Sequence, residues 1–118
     1  MTAEKALEFA REWYDAWNSH DLDSVLDHYA DSVSFQSPFV LRIIGVPHGE
    51  LRGKHEVRHY FARALSAFPN LCFEPVSVFA GINSVVLVYK SVNGLIAAET
   101  MDFDSHGKVC RVSCHYTS

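Results

Sequence analysis

The chain has 118 residues, of which 48% are hydrophobic, 20% charged and 13% aromatic, and its formal net charge is −4. That is the size of one domain, 1–118, with a single core. An acidic balance without a basic run excludes nucleic-acid binding by phosphate neutralisation, and no apolar stretch is long enough to span a membrane.

The opening MTAEKALEFAREWYDAW is charged and helically periodic, with no apolar leader, so the chain reads as soluble and cytoplasmic. Ala6, Phe9, Ala10, Trp13 and Trp17 fall on one stripe of a helix over residues 3–17. Asp21 is placed to cap a second helix over 22–30, with Leu22, Val25, Leu26 and Tyr29 as its apolar face. Residues 32–36 alternate as a short strand. The next stretch, SPFVLRIIGVPHGELRGK, mixes Pro and Gly with apolar residues; it is expected to be a long ordered excursion with some extended structure, packed over a pocket mouth or a partner subunit. A third helix is expected over 54–68, burying Val57, Phe61, Ala64, Leu65 and Phe68.

The remainder reads as four strands, 72–80, 84–92, 95–104 and 109–116, joined by turn signals at Gly81-Ile82-Asn83, Asn93-Gly94 and Ser105-His106-Gly107. Consecutive hairpins make an antiparallel meander, and helices followed by strands define an α+β domain. Both faces of 84–92 are apolar, with Val85, Leu87 and Tyr89 on one and Val86, Val88 and Val92 on the other. One core does not need both, so a homodimer through the sheet is expected.

One residue breaks the pattern. In LIAAETMDF, Glu99 shares its face with Leu95, Ala97, Met101 and Phe103. A carboxylate among inward apolar side chains must be paired, protonated or facing a cavity. Two readings follow: a structural acid paired with a neighbour such as Tyr14 or Tyr89, or a pocket acid of raised pKa acting as general acid/base or ligand anchor. An ionised Glu99 held by Arg11, Arg42 or Arg63 is the competing arrangement.

Other chemistries find no support. Cys110 and Cys114 lie roughly 13 Å apart if both sit on one strand, too far for a disulfide. With Cys72 they read as buried, reduced, apolar fillers. His20, Asp23, Asp27 and His28 suit a solvated helix face better than a metal site, and His55 and His59 lack the H-E-x-x-H frame. His115 points away from the apolar side of its strand, with Arg111 and Ser113. There is no G-x-S-x-G and no Gly-rich phosphate loop. No metal and no cofactor are expected.

The segments NSHDLDSVLDHYADSVSFQSP, GELRGKHEVRHYFARAL and DFDSHGKV resemble the nuclear-transport-factor-2-like superfamily, and more closely its SnoaL-like branch of polyketide cyclases and ketosteroid isomerases. The resemblance covers nearly the whole chain. It implies a cone: a curved antiparallel sheet wrapped around helices, with an internal pocket at the wide end and homodimers through the convex sheet faces. Matching segments place the isomerases' oxyanion tyrosine at Trp13, their protonated aspartate at Glu99 and their base at Ser37. An indole can only donate and a serine is no base at neutral pH, so the isomerase mechanism is not expected to operate.

The pocket implied by this resemblance and by the strand faces comprises Trp13, Trp17, Tyr29, Phe35, Ser37, Phe61, Tyr89, Met101, Val112, Cys114 and Tyr116, with Glu99 as the candidate catalytic residue. Its expected occupant is a small apolar, carbonyl-containing ligand. If the chain is an enzyme, it is a cofactor-independent isomerase, cyclase or dehydratase-type lyase. The alternative is a non-catalytic ligand-binding or dimerisation module with a vestigial pocket.

Overall fold

A computed structural model of the protein describes residues 1–117. Helix α1 (Ala3–Asn18) is capped by Thr2, whose hydroxyl accepts from the Lys5 amide, and it buries Ala6, Ala10, Trp13, Tyr14, Ala16 and Trp17. Helix α2 (Leu22–Leu26) is capped by Asp21. It ends four residues before the expected boundary because Tyr29 is captured by the sheet: strand β1 runs Tyr29–Gln36, and Tyr29 pairs with Val109 of the last strand.

The stretch after β1 holds a helix not expected from the sequence and a short strand that is its expected extended part. Helix α3 (Pro38–Ile44) begins with Ser37, whose side chain accepts from the Phe39 amide, and with Pro38 in the first turn. It ends at Gly45, which adopts a left-handed conformation at φ 71°. Strand β2 (Glu50–Arg52) then pairs antiparallel with β1. Helix α4 (Lys54–Ala67) follows. Strands β3 (Glu74–Ala80), β4 (Ser84–Lys90), β5 (Ile96–Phe103) and β6 (Val109–Tyr116) complete the chain. The hairpin between β4 and β5 turns at Asn93 and Gly94, both at positive φ, as the Asn-Gly pair requires.

Among the described residues the domain thus has four α-helices and six strands, where the sequence suggested three and five. The sheet order is β2-β1-β6-β5-β4-β3. Every neighbouring pair is antiparallel except β1 with β6, which is parallel. The sheet is curved and unclosed, with α1 packed against β3 and α4 against β1 and β2. Between helices and sheet lies a core rich in aromatic rings. Trp13 of α1 stacks on Phe73 at 5.7 Å, Phe73 meets Tyr89 of β4 at 4.6 Å, and Trp17 meets Phe61 of α4 edge-on at 4.7 Å. At the opposite end Phe9 closes the core against His28 and Phe103. The α+β architecture read from the sequence therefore stands.

The cysteines correct one expectation. All three are free, but only Cys114 is buried; Cys110 is half-buried and Cys72 exposed. Cys72 precedes β3 rather than sitting within a strand, so no sheet face covers it. Among the described residues no helix is long and apolar enough to cross a membrane.

Candidate functional site

Strand β5 alternates strictly over its central residues: Ala97, Glu99 and Met101 are buried, whereas Ile96, Ala98 and Thr100 are half-exposed. Glu99 is 3% exposed. It lies opposite Leu87 of β4 on one side and Cys114 of β6 on the other. Its partner is Tyr89, whose hydroxyl donates to Oε1 at 2.6 Å. The Tyr14 hydroxyl, the other candidate, is buried without a partner. Arg11, Arg42 and Arg63 are exposed, and none of the salt bridges among the described residues involves Glu99.

The electrostatics follow from that isolation. Burial pushes the Glu99 carboxyl up to about 7 from an ordinary 4.5, with hydrogen bonds from Tyr89 and Cys114 pulling the other way. Burial likewise raises the hydroxyls of Tyr14, Tyr60 and Tyr116, and Glu99 adds to the rise in each. Around neutral pH the acid is poised between a neutral form that donates a hydrogen bond and an ionised form that accepts a proton.

Glu99 borders a cavity of about 50 Å³. Of the residues expected around it, Trp13, Trp17, Phe35, Phe61, Tyr89, Cys114 and Tyr116 line that space. Tyr29, Ser37, Met101 and Val112 do not. Tyr29 is fully buried, and its hydroxyl accepts from the Trp13 indole at 3.1 Å. Met101 and Val112 belong to the solid core further along their strands. Ser37 is committed to capping α3 and borders a separate shallow depression with His48.

The wall also includes residues the sequence reading did not place there. Phe39 and Ile43 come from α3, Tyr60, Ala64 and Phe68 from the α4 side, Leu71 and Phe73 from the segment before β3, and Ser91 and Val92 from the β4–β5 turn. The spacings Phe39/Ile43 and Tyr60/Ala64/Phe68 are single faces of helices, a signal that was available once α3 is recognised. The mouth lies where the wall is half-exposed, at Ile43, Phe68, Ser91, Val92 and Tyr116. Phe39 braces it, edge-on to Tyr116 at 4.7 Å and to Phe68 at 6.2 Å. The excursion after β1 contributes to the cavity wall through Phe39 and Ile43 of its helix, and its extended part, β2, pairs with β1 instead.

The histidines are dispersed. His20 bonds the Leu71 carbonyl, His115 bonds the Ala98 carbonyl, and His28 packs against Phe9, where burial lowers its pKa. Among the described residues no group of three His, Cys, Asp or Glu side chains assembles as a metal site.

A curved, unclosed six-stranded sheet packed against helices is the architecture of a known class of α+β domain. The chain belongs to the SnoaL-like domain family, which it matches over residues 10–114. It is similar over its full length to a SnoaL-like protein of unknown function from Burkholderia thailandensis, at 42% identity and a TM-score of 0.94, covering 99% of that chain. It shares its fold with a proposed polyketide cyclase from Sinorhizobium meliloti (11% identity, TM-score 0.77, 98% of this chain and 100% of that one). The same holds for a proposed ketosteroid isomerase from Kribbella flavida (15% identity, TM-score 0.76, 98% and 79%). No curated protein matches the chain.

Proposed function

We propose that the protein binds a small apolar ligand carrying a carbonyl group in the cavity beside Glu99, and that Glu99 moves a proton to and from it. The observation that carries this reading is a carboxyl buried among apolar side chains, bonded by Tyr89 and, among the described residues, bridged to no cation. A fold gains nothing from such a group, because burying an unpaired charge is costly and apolar packing would serve better. A neutral carboxylic acid can donate to a carbonyl oxygen as charge builds there, and its ionised form can remove a proton. Fold relatives named for isomerase and cyclase chemistry agree in kind. The resemblance to the ketosteroid isomerases implies Trp13 and Ser37 in the places of their tyrosine and their base. The Trp13 indole is engaged with Tyr29 and Ser37 with a helix cap, so proton transfer rests on Glu99 alone.

Carbon-13 NMR titration of the Glu99 carboxyl tests this directly. The expected midpoint is raised well above that of a free glutamate. A midpoint at or below the free value, together with ligand affinity unchanged in Glu99→Gln, sinks the proposal.

The second reading, a non-catalytic module with a vestigial pocket, draws on the smallness of the cavity, about 50 Å³ between interlocked rings. It predicts a raised Glu99 midpoint with no ligand-dependent change. Under either reading we propose a homodimer through the outer sheet face. Phe79, 58% exposed, lies opposite Val86 there, and Val88 lies opposite Ala98.

A further inference from the structure

A ligand oxygen needs donors, and most donors around the cavity are spoken for. No Lys, Arg or His lines it. The Trp13 indole donates to Tyr29, and the Tyr89 hydroxyl donates to Glu99. The Trp17 indole nitrogen and the Tyr14 hydroxyl have no partner, but both are closed off from solvent, so neither is offered to the cavity. Beside the weakly donating Cys114 thiol, three lining hydroxyls remain: Tyr60, Ser91 and Tyr116. None of the three is hydrogen-bonded among the described residues, and none is closed off. Ser91 belongs to the half-exposed turn between β4 and β5, open to water. Tyr60 is only 5% exposed, so the space its oxygen meets is the cavity itself.

The two tyrosines reach the same end of the cavity from different elements, Tyr60 from α4 and Tyr116 from β6. Both hydroxyls lie near Ser37 Oγ without a bond of acceptable geometry to it; that oxygen already accepts from the Phe39 amide. Cys114, opposite Glu99 in the sheet, adjoins Tyr116 and Ser37 as well. Glu99, Cys114, Tyr116 and Tyr60 therefore form one polar end in a wall that is otherwise mostly apolar. The rings that carry the two hydroxyls are fixed. Tyr60 packs on Phe35 and Phe61 at 5.5 and 5.7 Å, and Tyr116 on Phe39 at 4.7 Å. Donors held in place beforehand need no reorganisation when an acceptor arrives. Burial holds both hydroxyls well above the ordinary tyrosine range, so both stay protonated around neutral pH.

We infer that Tyr60 and Tyr116 are the paired donors that hold the ligand's carbonyl oxygen beside Glu99. This rests on the ligand binding proposed above and deepens it. The role falls to residues outside the positions that the isomerase resemblance supplies, Trp13 and Ser37.

The test uses 2-butanone, cyclohexanone and acetophenone, each carrying carbon-13 at the carbonyl. They are titrated into the intact protein and into Tyr60→Phe, Tyr116→Phe and Ser91→Ala. The parent is expected to bind at least one of them saturably. Each tyrosine substitution should weaken that binding about three- to tenfold. Each should also move the bound carbonyl carbon upfield relative to the parent complex, because its oxygen has lost a donor. Ser91→Ala should do neither. Phenylalanine keeps each ring, and urea unfolding checks that stability is unchanged; two variants on separate elements guard against one that folds poorly. Affinity and carbonyl shift unchanged in both tyrosine variants would overturn the inference while leaving ligand binding intact, and so would a loss confined to Ser91→Ala. A response from one tyrosine alone would overturn the pair. No saturable binding of any of the three ketones to the parent would remove the binding function, and this inference with it.

Discussion

The two faces of β4 and β5 each carry a row of apolar residues in opposite environments, with Lys90 and Asp102 exposed on the outer one. Inward stand Val85, Leu87 and Tyr89 with Ala97, Glu99 and Met101, all buried. Outward stand Val86 and Val88 with Ile96, Ala98 and Thr100, all half-exposed. A carboxylate on the outer face would be solvated and unremarked. The only acid between Ile96 and Met101 sits instead on the face where its charge is hardest to accommodate. Local rules of folding are broken chiefly at sites that serve something else, and that contrast marks Glu99 more clearly than its burial does.

The comparison breaks most visibly by truncation. Leu87→Ala is expected to lose about 2–5 kcal/mol of stability in urea unfolding, and Val88→Ala, one residue along, about 1 kcal/mol or less. Equal losses would mean that the outer face is covered as thoroughly as the inner.

Next in size is the pH dependence. Because the folded state raises the Glu99 midpoint from 4.5 to about 7, the protonated acid stabilises the fold fully below pH 4.5. That contribution is lost as pH climbs to about 7, on the order of 3 kcal/mol in all. Glu99→Gln lacks the titration, so its stability relative to the parent should rise by that amount across the window. A difference that stays constant with pH would show that the carboxyl is solvated.

Tyr89→Phe removes the hydroxyl that donates to the ionised acid. The Glu99 midpoint should move further up, read by carbon-13 NMR, with a stability loss of about 1 kcal/mol. A downward movement would contradict the observed bond.

The smallest effect on folding is expected outside. Val88→Lys should change stability by about 0.5 kcal/mol or less, yet convert a dimer to a monomer in light scattering. A parent that already scatters as a monomer removes the dimer proposal.

Much of this was legible in the sequence because period two assigns a residue to a face. Glu99, Tyr89 and Cys114 point inward as their alternation requires. Period two does not say how far along a strand a cavity extends, which is why Met101 and Val112 proved to be core and Tyr29 a buried partner of Trp13. Helix α3 escaped because Pro38 and Gly45 read as loop residues, although a Ser-Pro start and a left-handed glycine stop are how a short helix is bounded. Strand β2 has three residues, too few for any period. Phe73 carried no signal, since it lies before β3 and is fixed by stacking on Trp13 rather than by a repeat.

The parallel pair joins Tyr29 to Val109 and Gln36 to Ser113 across most of the chain. Closing so long a loop costs entropy before any contact repays it, so this seam is expected to form late in folding. Until β6 arrives, β1 and β5 each present an unpaired strand edge, a template for joining other chains. Slow docking of the final strand would therefore be felt first as self-association of half-folded molecules, well before any effect on the cavity.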